Sequence, residues 1–248
     1  MNSFPLSSDH LAMLARADSP TVANVIELFD VRPRVAGYTH ATLKALYPEL
    51  PPAVGYAVTA TFRSAYPPSS QDAYGGMLQL IADAQAIPAP RIVVFQDLDE
   101  PPAAATYGEV MVTTFRAFGF VGLITSGAAR DIEQVRALRF PCWASGVIVS
   151  HGYNHILAGN VPVTVGGLQV NPGDLLHADA NGIVSIPSTI AVGVAELCEP
   201  FMRAESIVLD YLRKPNPTLE GYRHAQGRMR EALAELRQRA QTLVSGKS

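Results

Sequence analysis

The stretch YGEVMVTTFRAFGFVGLITSGAARDIEQVRALR (residues 107–139) decides how this 248-residue chain folds. VMVTTFRAFG (110–119) has helical spacing, and FVGLIT (120–125) is an unbroken apolar run of strand length, suited to burial on both faces of a sheet. ARDIEQVRALR (129–139) returns to a helical pattern, closed before Pro141. Upstream, RIVVFQ (91–96) is a second buried-type strand, separated from this stretch by the Pro/Ala-rich DLDEPPAAATYGE. Strand and helix alternating in this way predict parallel pairing with right-handed crossovers.

Working outward, SPTVANVIELFD (19–30) predicts a helix opened by a Ser-Pro-Thr cap signal. HATLKALYPEL (40–50) predicts a short helix ended by Pro51-Pro52, AVGYAVTATF (53–62) a strand, and QDAYGGMLQLIADAQ (71–85) a helix despite its glycines. Beyond residue 141 the pattern changes to short strands, CWASGVIVS, PVTVGGLQV, GDLLHAD and GIVSIP, with turn signals at Gly166-Gly167, Pro172-Gly173 and Asn181-Gly182. An α/β layer thus precedes a β-rich layer. AVGVAELCEPFMRAESIVLDYLR (191–213) is a long helical pattern interrupted by Pro200. The last piece carries Met229, Leu233, Leu236, Ala240 and Leu243 on one stripe, which must cover either the body of the protein or a neighbouring subunit. No internal repeat or low-complexity segment interrupts the pattern. The expected organisation is a main domain over 1–215 and a C-terminal helical extension over 216–248.

Composition narrows the function. A hydrophobic content of 48% supports a substantial core, and 19 Lys+Arg against 22 Asp+Glu gives no electrostatic case for nucleic acid. The start MNSFPLSSDH lacks the basic-then-apolar order of a secretory signal, and no apolar run approaches the roughly 20 residues that cross a bilayer. The two cysteines, Cys142 and Cys198, lie far apart without metal-ligand spacing and read as buried thiols in a reducing cytoplasm. There is no nucleophile elbow, phosphate loop or dinucleotide fingerprint.

The chemistry-bearing residues cluster at two strand-to-helix loops, TYGEV (106–110) and SGAARD (126–131). Ligands settle outside the carboxyl ends of parallel strands, so neighbouring strands would bring Glu109, Arg130 and Asp131 together. Helix starts offer free backbone N–H groups to a carboxylate, Gly108 permits close approach, and Arg130 can fork onto a carboxylate or keto oxygen. Asp131 and Glu109 are the hard oxygen donors Mg²⁺ prefers. The competing reading is that acids in a first helical turn answer the helix dipole and that Arg130 points to solvent. His151 and His155 stand four apart, but in a Gly/Asn-containing segment where a helical zinc face is lost. His177 is expected to alternate outward from its strand, and Asp174 and Asp179 to stabilise turns.

YGEVMVTTFRAFGFVGLITSGAARD, FPCWASG and VPVTVGGLQVNPGDLLHADANGIVSIP together resemble the class II pyruvate aldolases. That family contains 4-hydroxy-4-methyl-2-oxoglutarate/4-carboxy-4-hydroxy-2-oxoadipate aldolases and the regulators of ribonuclease E activity that share their fold. The resemblance runs from SPTVANVIELFD to the helix ending near residue 213. It implies an α/β/β/α sandwich similar to the phosphohistidine swivelling domain, assembled as a homotrimer or homohexamer. It further implies that Asp131 ligates a divalent ion, Mg²⁺ or another such as Mn²⁺, largely through water. Arg130 would act on a 2-oxo acid substrate bound by Tyr107, Gly108, Glu109, Val110, Met111 and Arg130. Glu109 would hold the second acidic position through water and assist proton transfer, and Glu205 of a neighbouring subunit would join the metal's outer shell. The implied activity is retro-aldol cleavage to pyruvate, with oxaloacetate decarboxylation by the same enolate; the alternative is a non-catalytic regulator acting through protein contacts. Two positions depart from the family pattern: Gln134 where an acid is usual, with Glu133 one place early, and Ser126 where Asp is common.

Overall fold

The apolar runs around residues 91–96 and 120–125 do lie side by side as parallel strands in this computed structural model, which describes residues 6–68 and 76–245. In chain order the elements are α1 (Ser8–Leu14), α2 (Ser19–Phe29), β1 (Lys44–Ala45), β2 (Ala53–Arg63), α3 (Met77–Asp83), β3 (Arg91–Asp97), β4 (Ala105–Tyr107), α4 (Glu109–Ala117), β5 (Phe120–Thr125) and β6 (Ala128–Ala129). They continue with α5 (Ile132–Ala137), β7 (Cys142–Ala144), β8 (Gly146–Val147), β9 (His155–Gly159), β10 (Val163–Val165), β11 (Leu168–Val170), β12 (Leu175–Asp179), β13 (Gly182–Ile186), α6 (Ala191–Leu212) and α7 (Leu219–Ser245).

Two compact units emerge. The first spans 35–187, and the second brings together residues 6–34 and 188–245. In the first unit the main sheet has the order β1-β7-β5-β3-β2-β12-β13, with β9 also pairing β2. The strands β2, β3, β5 and β7 are mutually parallel, and β12 and β13 add an antiparallel hairpin. One face carries α4, whose Phe115 stacks between Phe95 and Phe120 at ring distances of 6.0 and 4.9 Å. The other face is covered by the β10–β11 hairpin. Its Val163, Val165, Leu168 and Val170 turn inward onto Ile92, Val94, Ile124 and Trp143, while Thr164 and Gln169 face out. This is the layered mixed α/β sandwich expected, with helices at the C-terminal end of the chain.

Three local expectations are corrected. HATLKALYPEL is not a helix: Lys44–Ala45 pairs with β7, His40 N–H donates to Gly166 O (2.7 Å), and Leu46 N–H donates to Cys142 O (2.9 Å). A partner strand thus satisfies the backbone where a helix would have had to satisfy itself. ARDIEQVRALR starts its helix only at Ile132, because Ala128-Ala129 is spent on a strand beside β4 and β8. His177 does not alternate outward; β12 lies between β2 and β13 with every residue buried. The expected helix over 71–85 is described as α3 and a 3₁₀ turn at Ala84–Ala86, its first five residues lying outside the described residues. Asp174 and Asp179 do hold turns, accepting from Asn171 N–H (2.8 Å) and Asn181 N–H (2.7 Å).

In the second unit α1, α2 and α7 pack on α6. Asp18 caps α2, accepting from Thr21 N–H at 2.8 Å. The helix α6 runs through Pro200 without ending. Ala225, Leu236 and Ala240 of α7 are buried, so part of the predicted stripe packs within this unit, whereas Leu243 stays 40% exposed. Among the described residues no helix is long and apolar enough to cross a membrane. Both thiols are buried, and burial pushes Cys198 up to about 12, with Asp18 adding to the shift.

The single tryptophan, Trp143, joins the layers: its ring sits in the core and its Nε1 donates to Asp179 O at 2.8 Å. Trp143→Phe should cost about 2–3 kcal/mol, from lost packing volume and the lost indole hydrogen bond to the Asp179 carbonyl. Urea unfolding followed by circular dichroism checks this, and wild-type tryptophan emission should shift to the red in the same transition.

Candidate active site at the carboxyl ends of the strands

The short sheet β4-β6-β8 is what brings the two loops together. Ala105 pairs with Ala128 and Tyr107 with Ala129, so Gly108 and Arg130 leave neighbouring parallel strands at the same end. Arg130 N–H donates back to Tyr107 O at 3.1 Å. One residue later each chain begins a helix, with Gly108 as the cap of α4 and Asp131 as the cap of α5.

Asp131 adopts the left-handed conformation (φ 54°, ψ 46°), uncommon for a residue with a side chain but best tolerated by Asp and Asn. This turns its carboxylate away from its own helix and toward α4. There Oδ2 accepts the backbone N–H of Glu109 at 3.0 Å and lies 3.8 Å from Arg130 Nε. Gly108 makes the approach possible. A Cβ on it would stand 2.3 Å from Asp131 Oδ2 and 3.0 Å from Arg130 Nε, so only glycine leaves room.

The two key side chains are partly open, Arg130 at 28% and Asp131 at 33% exposure, while Glu109 and Val110 are exposed. Tyr107 and Met111 are core residues, so any part they take in binding belongs to their backbone. The first intrahelical bond of α4 runs from Val112 N–H to Gly108 O (3.1 Å), leaving the amides of Val110 and Met111 without an intrahelical acceptor. The site therefore presents a guanidinium, two carboxylates and a helix start on one surface. Glu205 stands half-buried on α6 in the second unit, where burial and then Asp18 raise its carboxyl above the usual range.

Residues that sequence reasoning passed over support the loop from behind. Tyr47 donates to Ile132 O (3.1 Å), anchoring the first turn of α5, and the Arg136 guanidinium lies 5.3 Å from its ring centroid while pairing with Glu49. Ser126 accepts from Asp97 N–H at 2.9 Å, tying this loop to the end of β3. Nothing periodic marks Tyr47. Asp97 had one available signal, its place at the carboxyl end of a buried parallel strand. Gln134 and Glu133 are both exposed on α5, Glu133 lying 3.9 Å from Arg136. His151 and His155 turn Nδ1 to the carbonyls of Gly152 and Tyr153. Among the described residues no group of three or more His, Cys, Asp or Glu is placed to hold a metal ion.

A family model described as RraA-like: Aldolase/RraA matches residues 22–185. A Halalkalibacterium halodurans protein named "Putative 4-hydroxy-4-methyl-2-oxoglutarate aldolase" is 31% identical over 100 residues, covering 40% of this chain and 48% of that protein. A protein of the same name from Ectopseudomonas mendocina is 25% identical over 135 residues, covering 49% of this chain and 82% of its own length. Protein DlpA of Legionella pneumophila is 31% identical over 84 residues, which is 33% of this chain and 14% of DlpA. The chain thus spans less than half the length of the first and last of these relatives. Among solved structures, an uncharacterised protein from Pseudomonas syringae superposes with TM-score 0.70 at 19% identity, covering 90% of this chain and 97% of that one. Streptomyces coelicolor RraAS2, described as an unusual member of the RNase ES inhibitor RraA protein family, superposes with TM-score 0.64 at 22% identity, over 81% of this chain and 96% of its own. Both structures share the fold.

Gly108→Ala should expel the Asp131 carboxylate and free the Glu109 amide. Hydrogen exchange at that amide should quicken about five- to tenfold, the scale of one hydrogen bond of net worth about 1 kcal/mol. Unchanged protection would show that the cradle does not depend on the bare glycine.

Proposed function

The chain belongs to the RraA-like family of aldolases and RraA proteins, and from that premise we propose that it is a divalent-metal-dependent carbon–carbon lyase. Its substrates are 4-hydroxy-2-oxo diacids, cleaved by retro-aldol reaction to pyruvate and a carbonyl fragment, and oxaloacetate is decarboxylated at the same site. The observation carrying this reading is the Arg130–Asp131 pair seated across Gly108 against the start of α4.

The residues present fit a weakly held hard cation. Asp131, with Glu109 one helix start away, supplies oxygen donors for Mg²⁺ or Mn²⁺, and with no third protein acid or imidazole grouped among the described residues the remaining positions fall to water and substrate. When bound, such an ion supplies Lewis-acid polarisation of the 2-oxo acid oxygens. Arg130 forks onto the substrate carboxylate and keto oxygen. The unpaired amides of Val110 and Met111 receive anionic oxygen at the helix start. As C3–C4 breaks, the 4-hydroxyl gives up its proton and the bonding electrons pass to the pyruvate enolate. Arg130 faces the charge where it develops, so its help is greatest in the transition state. Glu109 accepts the hydroxyl proton through a water, and the enolate is reprotonated at C3. In an oligomer, a trimer or hexamer, Glu205 of a neighbouring copy would add a further carboxylate to help hold the cation.

The family's regulators supply a second reading, a binding protein without chemistry. Incubating the purified protein with oxaloacetate or 4-hydroxy-4-methyl-2-oxoglutarate plus Mg²⁺ separates the two. Pyruvate should form, EDTA should abolish it, and Arg130→Ala or Asp131→Ala should each lower the rate at least ~100-fold, the cost of losing one preorganised electrostatic contact. No pyruvate from either acid, or turnover indifferent to EDTA, overturns the lyase. A monomer at all concentrations in sedimentation removes the part given to Glu205.

A further inference from the structure

Near the same strand ends lies a second carboxylate pair, Asp97 and Asp99, each buried at 8% exposure and outside the proposed reaction. Their surroundings are unlike. Asp99 Oδ2 accepts from Ser64 N–H (2.7 Å), Ala65 N–H (2.8 Å) and Ser64 Oγ (3.3 Å), and Oδ1 faces Arg63 Nε at 3.1 Å. Every one of those partners serves a carboxylate. Asp97 Oδ1 accepts from Asp99 N–H at 3.0 Å, but Oδ2 is buried with no hydrogen-bond partner.

That orphaned oxygen faces the loop leading to Arg130 and Asp131. A Cβ on Gly127 would stand 2.4 Å from Asp97 Oδ2 and 2.2 Å from Thr106 Oγ1, so both oxygens crowd the bare glycine, with no hydrogen bond between them. Thr106 Oγ1 is 3.1 Å from Thr125 Oγ1, which accepts Gly127 N–H at 2.9 Å. Asp97 N–H donates to Ser126 Oγ. Asp97 therefore touches this loop through both its backbone and its carboxyl, and Thr106 leads directly into Tyr107 and Gly108.

We infer that Asp97 is a positioning residue for the loop carrying Arg130 and Asp131, and that it works as the un-ionised acid. A buried carboxylate oxygen without a donor is costly, most of all beside a second carboxylate, and protonation removes the charge that lacks a partner. Two neighbouring carboxyls in unlike surroundings divide their roles, one charged and one neutral. Burial pushes the Asp97 carboxyl up to about 6; the Asp99 amide and Arg63 pull it down, and the Asp99 and Glu100 charges push it further up. From β4 and the loop after β5 the groups beside it are the neutral hydroxyls of Thr106 and Ser126, with Thr125 behind Thr106. With the folded value raised, the contribution of the neutral form is complete below the ordinary carboxyl range and is lost as pH rises through about 6. Above it, an unpaired charge sits beneath the loop.

The consequence for turnover rests on the proposed lyase; the proton itself does not. In wild-type protein labelled with carboxyl-¹³C aspartate, the resonance missing from Asp97→Asn should titrate near pH 6. A midpoint in the ordinary carboxyl range overturns the inference. Asn keeps the neutral acid's shape, so the Asp97→Asn to wild-type ratio of pyruvate release should be near one at pH 5 and at least about fivefold higher at pH 8. A flat ratio overturns the positioning role. If no pyruvate forms at any pH, the lyase fails alone. The loop is then read from Glu109 amide exchange, which should be faster in wild type than in Asp97→Asn at pH 8 and equal at pH 5. Equal exchange at both values, or failure of Asp97→Asn to fold at pH 8, overturns the inference.

Discussion

The bond from Glu109 N–H to Asp131 Oδ2 spans two loops that come from different strands, and it exists only because Gly108 has no side chain. Much else follows from that constraint. Asp131 must be left-handed to aim its carboxylate across the gap, and α5 must therefore begin one residue later, at Ile132. Arg130 is left beside the same oxygen with its guanidinium partly open to solvent. A carboxylate held by a backbone amide loses little freedom when a ligand arrives, and such preorganisation separates a site from a chance meeting of charges.

The sheet supplies the rigidity behind that bond. The strands β3 and β5 are buried on both faces, by Phe115 of α4 on one side and by the β10–β11 hairpin on the other. Their carboxyl ends are thus fixed by packing, and the loops leaving them inherit that precision. Tyr47 adds an anchor from a segment more than eighty residues earlier in sequence, holding the first turn of α5 through the Ile132 carbonyl. Ser126 takes the Asp97 amide proton, a task a hydroxyl performs without adding a further carboxylate beside Asp97 and Asp99.

What local chemistry determines was legible in the chain. Unbroken apolar runs give buried strands, Gly166-Gly167 gives the hairpin that covers the core, and Asp beside Asn or Gly gives side-chain-stabilised turns. The nearness of TYGEV to SGAARD was expected from neighbouring parallel strands, but the strands that deliver it are β4 and β6, a short separate sheet that no apolar run marks. HATLKALYPEL misled because its apolar spacing serves a strand edge as well as a helix; which one forms depends on whether Cys142 and Gly166 are there to receive its amides.

Sequence alone therefore determined the layers, the order of the α/β units and the two helix-start loops that gather Glu109, Arg130 and Asp131, since each rests on periodicity or on a residue's own backbone preference. It was silent on the left-handed turn at Asp131, the burial of His177 and the support from Tyr47. It was equally silent on the unequal surroundings of Asp97 and Asp99. Those belong to the tertiary structure alone, because hydrogen-bond partners and access to water come from segments far apart in the chain.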